Sequence, residues 1–204
     1  SINSASTDEY YDNSNFVYSR ILMATTTGYA TLKTDSASTT FNAGTLTQRA
    51  YIFSNDDGLG LNPGTTTTQA ATNTARTSVI KGERMIARFE VDNSGIGTST
   101  QPYKIQYENQ TDASGTWVDV GTTTQIRTSR ALSGVDGHPL NVNGVNPSCT
   151  TSGSYITGLF DVISGTTSPL TIGSNNCTNL AFAIETSGAT LGKTYRLRLV
   201  HATT

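Results

Sequence analysis

Charged residues are scarce in this chain of 204 residues, and their scarcity argues against two classes of partner. Asp, Glu, Lys and Arg make up 14% of the sequence, with 13 basic and 15 acidic residues and a formal net charge of -2. A protein that holds nucleic acid by its phosphates needs a basic face. Binding to an anionic membrane likewise needs a basic patch. The scattered, nearly balanced charges predict neither a nucleic acid nor a membrane as partner.

Long apolar runs and targeting signals are also missing from the sequence. The sequence contains no run of 18 apolar residues, so no membrane-spanning helix is predicted. The sequence does not begin with basic residues followed by an apolar segment, so no signal peptide is predicted. The sequence begins with Ser1 rather than Met, which is expected of a mature secreted protein, although a trimmed chain would look the same.

Cysteine is limited to Cys149 and Cys177. Two cysteines in a chain of secreted character more often pair than stay free, so we expect a disulfide, with two buried thiols as the alternative. The sequons that begin at Asn109 and Asn176 are candidate N-glycosylation sites. Together these features predict an extracellular protein at a cell surface.

Groups suited to catalysis are few. The chain has two histidines, His138 in a turn-like context and His201 near the C-terminus, and no G-x-S-x-G elbow. Paired carboxylates could make a glycosidase, but outward strand positions are where solvated acids normally lie, and nothing in the sequence selects a pair. The acids on predicted strands are Glu90, Glu108, Asp119, Asp161 and Glu185. We therefore predict that the chain is not an enzyme, that it has no catalytic residues and that it needs no cofactor.

One short stretch offers oxygen ligands of the kind that calcium prefers. Asn55, Asp56 and Asp57 precede Gly58, and calcium favours clustered carboxylate and carbonyl oxygens on a tight loop. The spaced acids and the final Glu of an EF-hand are missing. A strand end followed by a glycine-rich turn is therefore the preferred interpretation. The cysteines lack the second pair or nearby histidines that a zinc site needs.

Hydroxyl residues are abundant, with 37 Thr and 21 Ser. Thr is β-branched and favours an extended backbone. Apolar and polar residues alternate with a period of two in residues 85–91, 103–108, 179–186 and 194–200, and turn residues separate such runs. No amphipathic helix pattern extends over three turns. The sequence predicts an all-β fold: an antiparallel β-sandwich, Ig-like or jelly-roll-like, of about ten strands with an N-terminal extension.

The rest of the chain is assigned from the same pattern. Residues 62–78 and 133–154 are polar and are predicted to be long surface loops. Exposed aromatic residues could form a platform for carbohydrate, although core packing is the more common reason for such residues on a strand. The candidates for this platform are Trp117, Tyr10, Tyr11, Tyr29 and Tyr155.

The order of the strands resembles that of a known family. The segments that carry the likeness are QRAYIFSNDDG, GERMIARFEVDNSG, YKIQYENQTDASGTWVDVG, a Cys-containing loop and NLAFAIETSGATLGKTYRLRLV. Over residues 48–200 the chain resembles a Thr/Ser-rich β-sandwich repeat domain of large secreted, surface-displayed bacterial proteins. The resemblance implies an exported structural or adhesive role and no catalytic residues. Family members usually carry tandem units, whereas here one unit follows an N-terminal segment of about 47 residues. This single-unit arrangement is similar to that of pilin-like, donor-strand filament subunits.

The stretch NFVYSRILMATTTG, residues 15–28, is apolar on both faces of a predicted strand. We expect residues 1–15 to form a flexible polar leader and residues 16–204 a single β-sandwich domain. Residues 16–33 either pair within their own sandwich or act as a donor strand for a neighbouring copy. The residues expected to enter the neighbour are Phe16, Val17, Tyr18, Ile21, Leu22 and Met23.

Head-to-tail donation does not close on itself and so generates a filament. The sequence therefore predicts a structural subunit of an extracellular filament or pilus that polymerises with other copies of itself by β-strand exchange. The alternative is a non-polymerising cell-surface adhesion or carbohydrate-binding module, for which surface glycans would be the partners.

Overall fold

The computed structural model describes, with side chains, residues 44–58, 67–131, 134–142, 144–145, 149 and 153–202, and the backbone pairing of residues 7–8 and 21–22. The strands are β1 (Thr7–Asp8), β2 (Ile21–Leu22), β3 (Leu46–Asn55), β4 (Arg84–Asn93), β5 (Ser99–Gln101), β6 (Tyr103–Asn109), β7 (Val118–Asp119), β8 (Arg127–Thr128), β9 (Pro139–Leu140), β10 (Tyr155–Asp161), β11 (Leu170–Ile172), β12 (Cys177–Glu185) and β13 (Tyr195–His201). No helix occurs among these residues. The described part of the chain therefore contains no helix long and apolar enough to span a membrane.

Two sheets enclose the main core. The larger sheet has the order β3-β4-β12-β10-β9, with β8 also paired to β12, and the smaller sheet has the order β13-β6-β7. The short strands β5 and β11 form a separate antiparallel pair, as do β1 and β2. The all-β prediction is confirmed, and two facing sheets with a shared core are consistent with a β-sandwich.

The core between the sheets follows the alternation of the sequence. On β4 and β12 the inward side chains include Met85, Phe89, Leu180 and Phe182, and they pack with Ile105 from β6. Successive side chains of a strand point to opposite faces, so one apolar set on each strand suffices to fill this layer. The ring centroids of Phe89 and Phe182 lie 6.2 Å apart in an edge-to-face arrangement.

The larger sheet is also buried on its back face. Ile86 and Ala181 pack there with Phe160 and with Leu140 of β9. Val145 packs there too, in a cluster with residues of β3. The prediction that residues 133–154 form a surface loop is wrong at Leu140 and Val145, which are buried because they cover this second face.

One strand pair departs from the antiparallel pattern. β10 runs parallel to β12, with a shift of register between Ile156 and Leu159. Parallel neighbours need a crossover of a dozen or more residues, and residues 162–176, which include β11, provide it. The sequence analysis missed this pair because the crossover contains a strand rather than a helix.

The predicted disulfide is present and links the polar segment at 133–154 to the larger sheet. Cys149 pairs with Cys177 at a sequence separation of 28, with 5.7 Å between their Cα atoms. Cys177 begins β12 and is fully buried. The bond therefore ties the segment before β10 to a central strand of the larger sheet.

Removal of this bond is expected to destabilise the fold. Closing a loop of this length lowers the entropy of the unfolded chain, which corresponds to roughly 3 to 4 kcal/mol. The Cys149→Ala/Cys177→Ala double variant should lose this amount in urea denaturation, and reduction of the wild-type chain should give a similar loss. The double variant should be insensitive to reductant. An unchanged midpoint for the fully reduced wild-type chain would contradict this role.

Close backbone approach at the parallel pair gives a second prediction. A Cβ atom on Gly158 would overlap the carbonyl oxygen of Asn179, whereas a Cβ on Gly121 would come no closer than 3.9 Å to Thr124. Gly158→Ala should therefore lower the free energy of unfolding by more than about 2 kcal/mol, because the two strands must separate. Gly121→Ala is the matched control and should change little. Equal losses in thermal or urea denaturation would refute the steric explanation.

Candidate functional site

The strongest candidate site is the side of the sandwich where both sheets end. β13 is an edge of the smaller sheet and β3 an edge of the larger one. They lie beside each other, since the backbone N–H of Leu199 donates to Oε1 of Gln48 at 3.0 Å. We call this region the open side and define it by its core-facing residues, which are Leu46, Tyr51, Phe53, Tyr195, Leu197 and Leu199.

All six residues of the open side are only partly buried, although they pack on the main core. Corresponding residues on the interior strands are shielded far more completely: Phe89 is 2% exposed, and Ile105 and Leu180 are 0% exposed. For Tyr195, Leu197 and Leu199 the difference arises because β13 has a neighbouring strand on one side only. Apolar area thus remains in contact with water along this side, where its burial would be favourable.

The backbone of β13 also offers hydrogen-bonding groups on this side. Leu199 N–H points toward Gln48, whereas Ala202 N–H points the other way and donates to the Pro102 carbonyl in the segment that leads into β6. Because backbone groups alternate in direction along a strand, those of Tyr195 and Leu197 point to the open edge. No other described strand pairs with this edge. It is a template for one more strand.

The edge of β3 is covered along half of its length. Gln69 N–H donates to the Phe53 carbonyl at 2.8 Å and Asn73 N–H donates to the Tyr51 carbonyl at 2.9 Å. The segment at 67–73 thus occupies this edge from Tyr51 onwards. The open edge of the region is therefore that of β13, and β3 contributes side chains from the facing sheet.

The outer face of the smaller sheet is polar and carries an aromatic and arginine cluster. The Arg198 and Arg196 guanidinium groups lie 4.1 and 4.9 Å from the ring centroid of Trp117, close enough for cation–π contact. Asp119 accepts hydrogen bonds from Gln106 at 2.7 Å and from Lys104 at 3.2 Å. Strand pairing places these side chains in neighbouring rows.

Glu108 is the most shielded acid on this outer face, with 0% of its side chain exposed. Arg196 donates to its carboxylate, as does the backbone N–H of Gly115. These contacts lower the pKa of Glu108 below its ordinary value of 4.5, mainly through the hydrogen bond from Arg196.

This lowered pKa predicts a dependence of stability on pH. A carboxylate whose pKa is depressed by folding stabilises the folded chain above its unfolded pKa, and that contribution is lost as the pH falls from about 4.5 through the folded pKa. Arg196→Ala should raise the pKa of Glu108 and weaken this acid dependence. Arg198→Ala is the control, because its effect on Glu108 is purely coulombic and ranks last among the causes. Carboxyl-carbon NMR titration measures the pKa of Glu108 in the two variants. A larger change of this pKa in Arg198→Ala than in Arg196→Ala would contradict the role of Arg196.

The acids predicted to be solvated on strands are mostly not solvated. Glu90 and Glu108 are 0% exposed and Asp161 is 4% exposed. The expectation fails for Glu90 because both faces of β4 are covered, and for Asp161 because residues 164–165 fold over it. Ser164 Oγ and Gly165 N–H both donate to Asp161. Burial raises the pKa of Asp161 despite these bonds. Asp119 is exposed and Glu185 is partly buried.

The remaining candidate residues are dispersed. Asn55 pairs with residues of the 67–69 segment, and Asp56 and Asp57 follow at the end of β3. Among the described residues no group of three or more His, Cys, Asp or Glu side chains is placed to hold a metal ion. His138 lies in the turn before β9, and the His201 ring lies 5.6 Å from that of Tyr103.

The two sequons differ in accessibility. Asn109 is 8% exposed, and its amide donates to Asp112 at 3.0 Å. Asn176 is partly buried and accepts a hydrogen bond from Ser154 N–H at 3.0 Å. The amide nitrogen of Asn109 therefore already has a partner within the fold.

Most of the predicted donor strand lies outside the described residues, including Phe16, Val17, Tyr18 and Met23. So do the aromatic candidates Tyr10, Tyr11 and Tyr29. Ile21 and Leu22 form β2 and pair with Asp8 and Thr7 of the same chain. Tyr155 is described, and its hydroxyl donates to the Leu140 carbonyl at 2.7 Å.

The open side was not predicted from the sequence, although all of its residues except Leu46 lie in segments that the sequence assigns to strands. An alternating pattern specifies which side chains face a core, but it does not say which strand ends a sheet. No protein-family model matches the chain, and no curated protein or solved structure matches it significantly.

Proposed function

We propose that the chain is a structural subunit of an extracellular filament, in which residues 16–23 of one copy fill the open side of the next. The observation that carries the proposal is the edge of β13, with which no other described strand pairs, together with apolar side chains that remain partly exposed beside it. A donated strand satisfies both at once, because its backbone pairs with the edge while alternate side chains fill the groove.

The N-terminal segment has the composition required of the occupant. Residues 16–23 read FVYSRILM and are apolar at alternating positions on both faces. Residues 24–43 join this stretch to the first described residue of the sandwich, Gly44. Twenty extended residues reach roughly 70 Å, which is ample for a neighbouring copy. Donation of this kind repeats head to tail and builds a filament.

An extracellular location follows from the same proposal. The disulfide between Cys149 and Cys177 supports it, since such bonds persist mainly in oxidising compartments. A filament at the cell surface also requires no active site, in keeping with the dispersed histidines and carboxylates described above.

A carbohydrate-binding module is the weaker candidate. It would use Trp117 as a stacking platform, but the guanidinium groups of Arg196 and Arg198 already lie over that ring. A sugar would have to displace them. No other described strand pairs with the β13 edge of the open side, where the Gln48 side chain accepts a hydrogen bond from Leu199 N–H.

A charge placed in the open side tests the proposal. Leu197→Asp puts a carboxylate where the donated strand would pack, so filaments should be lost, because a buried unpaired charge is strongly unfavourable. Leu191→Asp is the matched control, since Leu191 is 74% exposed and lies outside β13. Negative-stain electron microscopy and gels run with and without boiling report assembly, and circular dichroism verifies that both variants fold.

Two results would overturn the proposal. If the wild-type chain stays monodisperse at 21.6 kDa under all assembly conditions, it does not exchange strands with other copies. Filaments of normal length from folded Leu197→Asp protein would mean that copies join elsewhere.

A further inference from the structure

We propose, on the basis of the strand-exchange function above, that the donated strand turns Val17, Ile21 and Met23 into the core of the accepting copy. Arg20 and its neighbours on the other face then lie on the outer face of the extended sheet. The occupant is residues 16–23 of a second copy of this chain.

The two faces of the donated strand differ in charge. Residues 17, 19, 21 and 23 are Val, Ser, Ile and Met, and residues 16, 18, 20 and 22 are Phe, Tyr, Arg and Leu. Successive side chains point to opposite faces, so one set enters the core and the other faces outward. Only the second set contains a charge. Ser19 is the one polar residue of the first set, and it is small and neutral.

The six residues that define the open side include no carboxylate that could pair with a guanidinium group. They are all aliphatic or aromatic. Arg20 turned inward would therefore be desolvated without an opposing carboxylate, which is far more costly than burying Ser19. The inward set must then be the one with Val17 and Ile21.

The outer face already accommodates charged side chains. β13 presents Arg196, Arg198 and Val200 there, beside Glu108 of β6. Like charges directly opposite each other are unfavourable, so the best position for Arg20 is opposite the uncharged Val200. With the donated strand in either direction, Tyr18 or Leu22 then lies beside Arg198.

The pairing seen within the N-terminal segment is compatible with this arrangement. Ile21 and Leu22 pair with Asp8 and Thr7 along one edge of β2. A strand has two hydrogen-bonding edges, so the opposite edge of β2 can pair with β13 of a neighbour. A hairpin rather than a single strand would then be added.

Adjacent substitutions in the full-length chain test the orientation. Ile21→Asp should raise the concentration needed for assembly at least about tenfold, because its carboxylate enters the apolar groove. Leu22→Asp should assemble within about threefold of wild type, because in either strand direction its carboxylate lies on the outer face of the sheet, in contact with water. A second pair moves the existing charge: Ser19→Arg should block assembly and Arg20→Ala should not. Sedimentation and electron microscopy measure assembly, and urea denaturation shows whether the unassembled variants are equally stable.

Each outcome separates the orientation from the underlying function. If Leu22→Asp blocks assembly and Ile21→Asp does not, the orientation is wrong and strand exchange still holds. If both block assembly equally, the orientation is also wrong. If neither affects filaments, residues 16–23 are not the occupant, and both the orientation and the proposed function fail.

Discussion

The burial of β4 and β12 on both faces is the constraint on which the rest of this structure depends. These strands pair over nine registered positions, from Cys177↔Asp92 to Glu185↔Arg84. Their inward side chains fill the core between the sheets, while their back face needs a second cover. Leu140 and Val145 provide part of that cover, and the disulfide at Cys177 fixes the segment that carries them. The backbone hydrogen bonds between these two strands are shielded from water on both faces. Hydrogen bonds protected in this way are expected to open least readily in the fold.

Polar side chains that are buried beside β4 and β12 form specific hydrogen bonds. Arg88 on the back face of β4 donates to Asn179 Oδ1 at 2.9 Å and to the Val142 carbonyl at 2.6 Å. Gly144 N–H donates to the same Asn179 oxygen at 2.8 Å. A Cβ on Gly144 would overlap the Arg88 guanidinium, so a side chain there would displace that group. These bonds connect the covering segment to the sheet, because a buried guanidinium is tolerated only when its donors are satisfied.

Shielding weakens toward the sheet edges, and this gradient locates the candidate site. β3 is protected from Tyr51 onwards by the 67–73 segment, but no described strand covers β13. Soluble chains normally protect such an edge with charge, proline or a covering loop. Here Arg196 and Arg198 protect only the outer face of the strand, while Leu197 and Leu199 stay partly exposed beneath it. A strand added by another copy would cover the edge of β13 and its partly exposed leucines. The proposed strand exchange thus accounts for this edge and for the apolar N-terminal segment together.

The sequence by itself determined the all-β class, the expected disulfide and the alternating pattern of β4, β6 and β12, because period-two alternation and cysteine usage are local properties. It could not supply the parallel pairing of β10 with β12, the burial of Glu90 and Asp161, or the identity of the edge strands. Those depend on which segments become neighbours in space, and residues far apart in sequence decide that. The open side is such a property: Leu46 and Leu197 belong to it only because β3 and β13 are edge strands that lie beside each other.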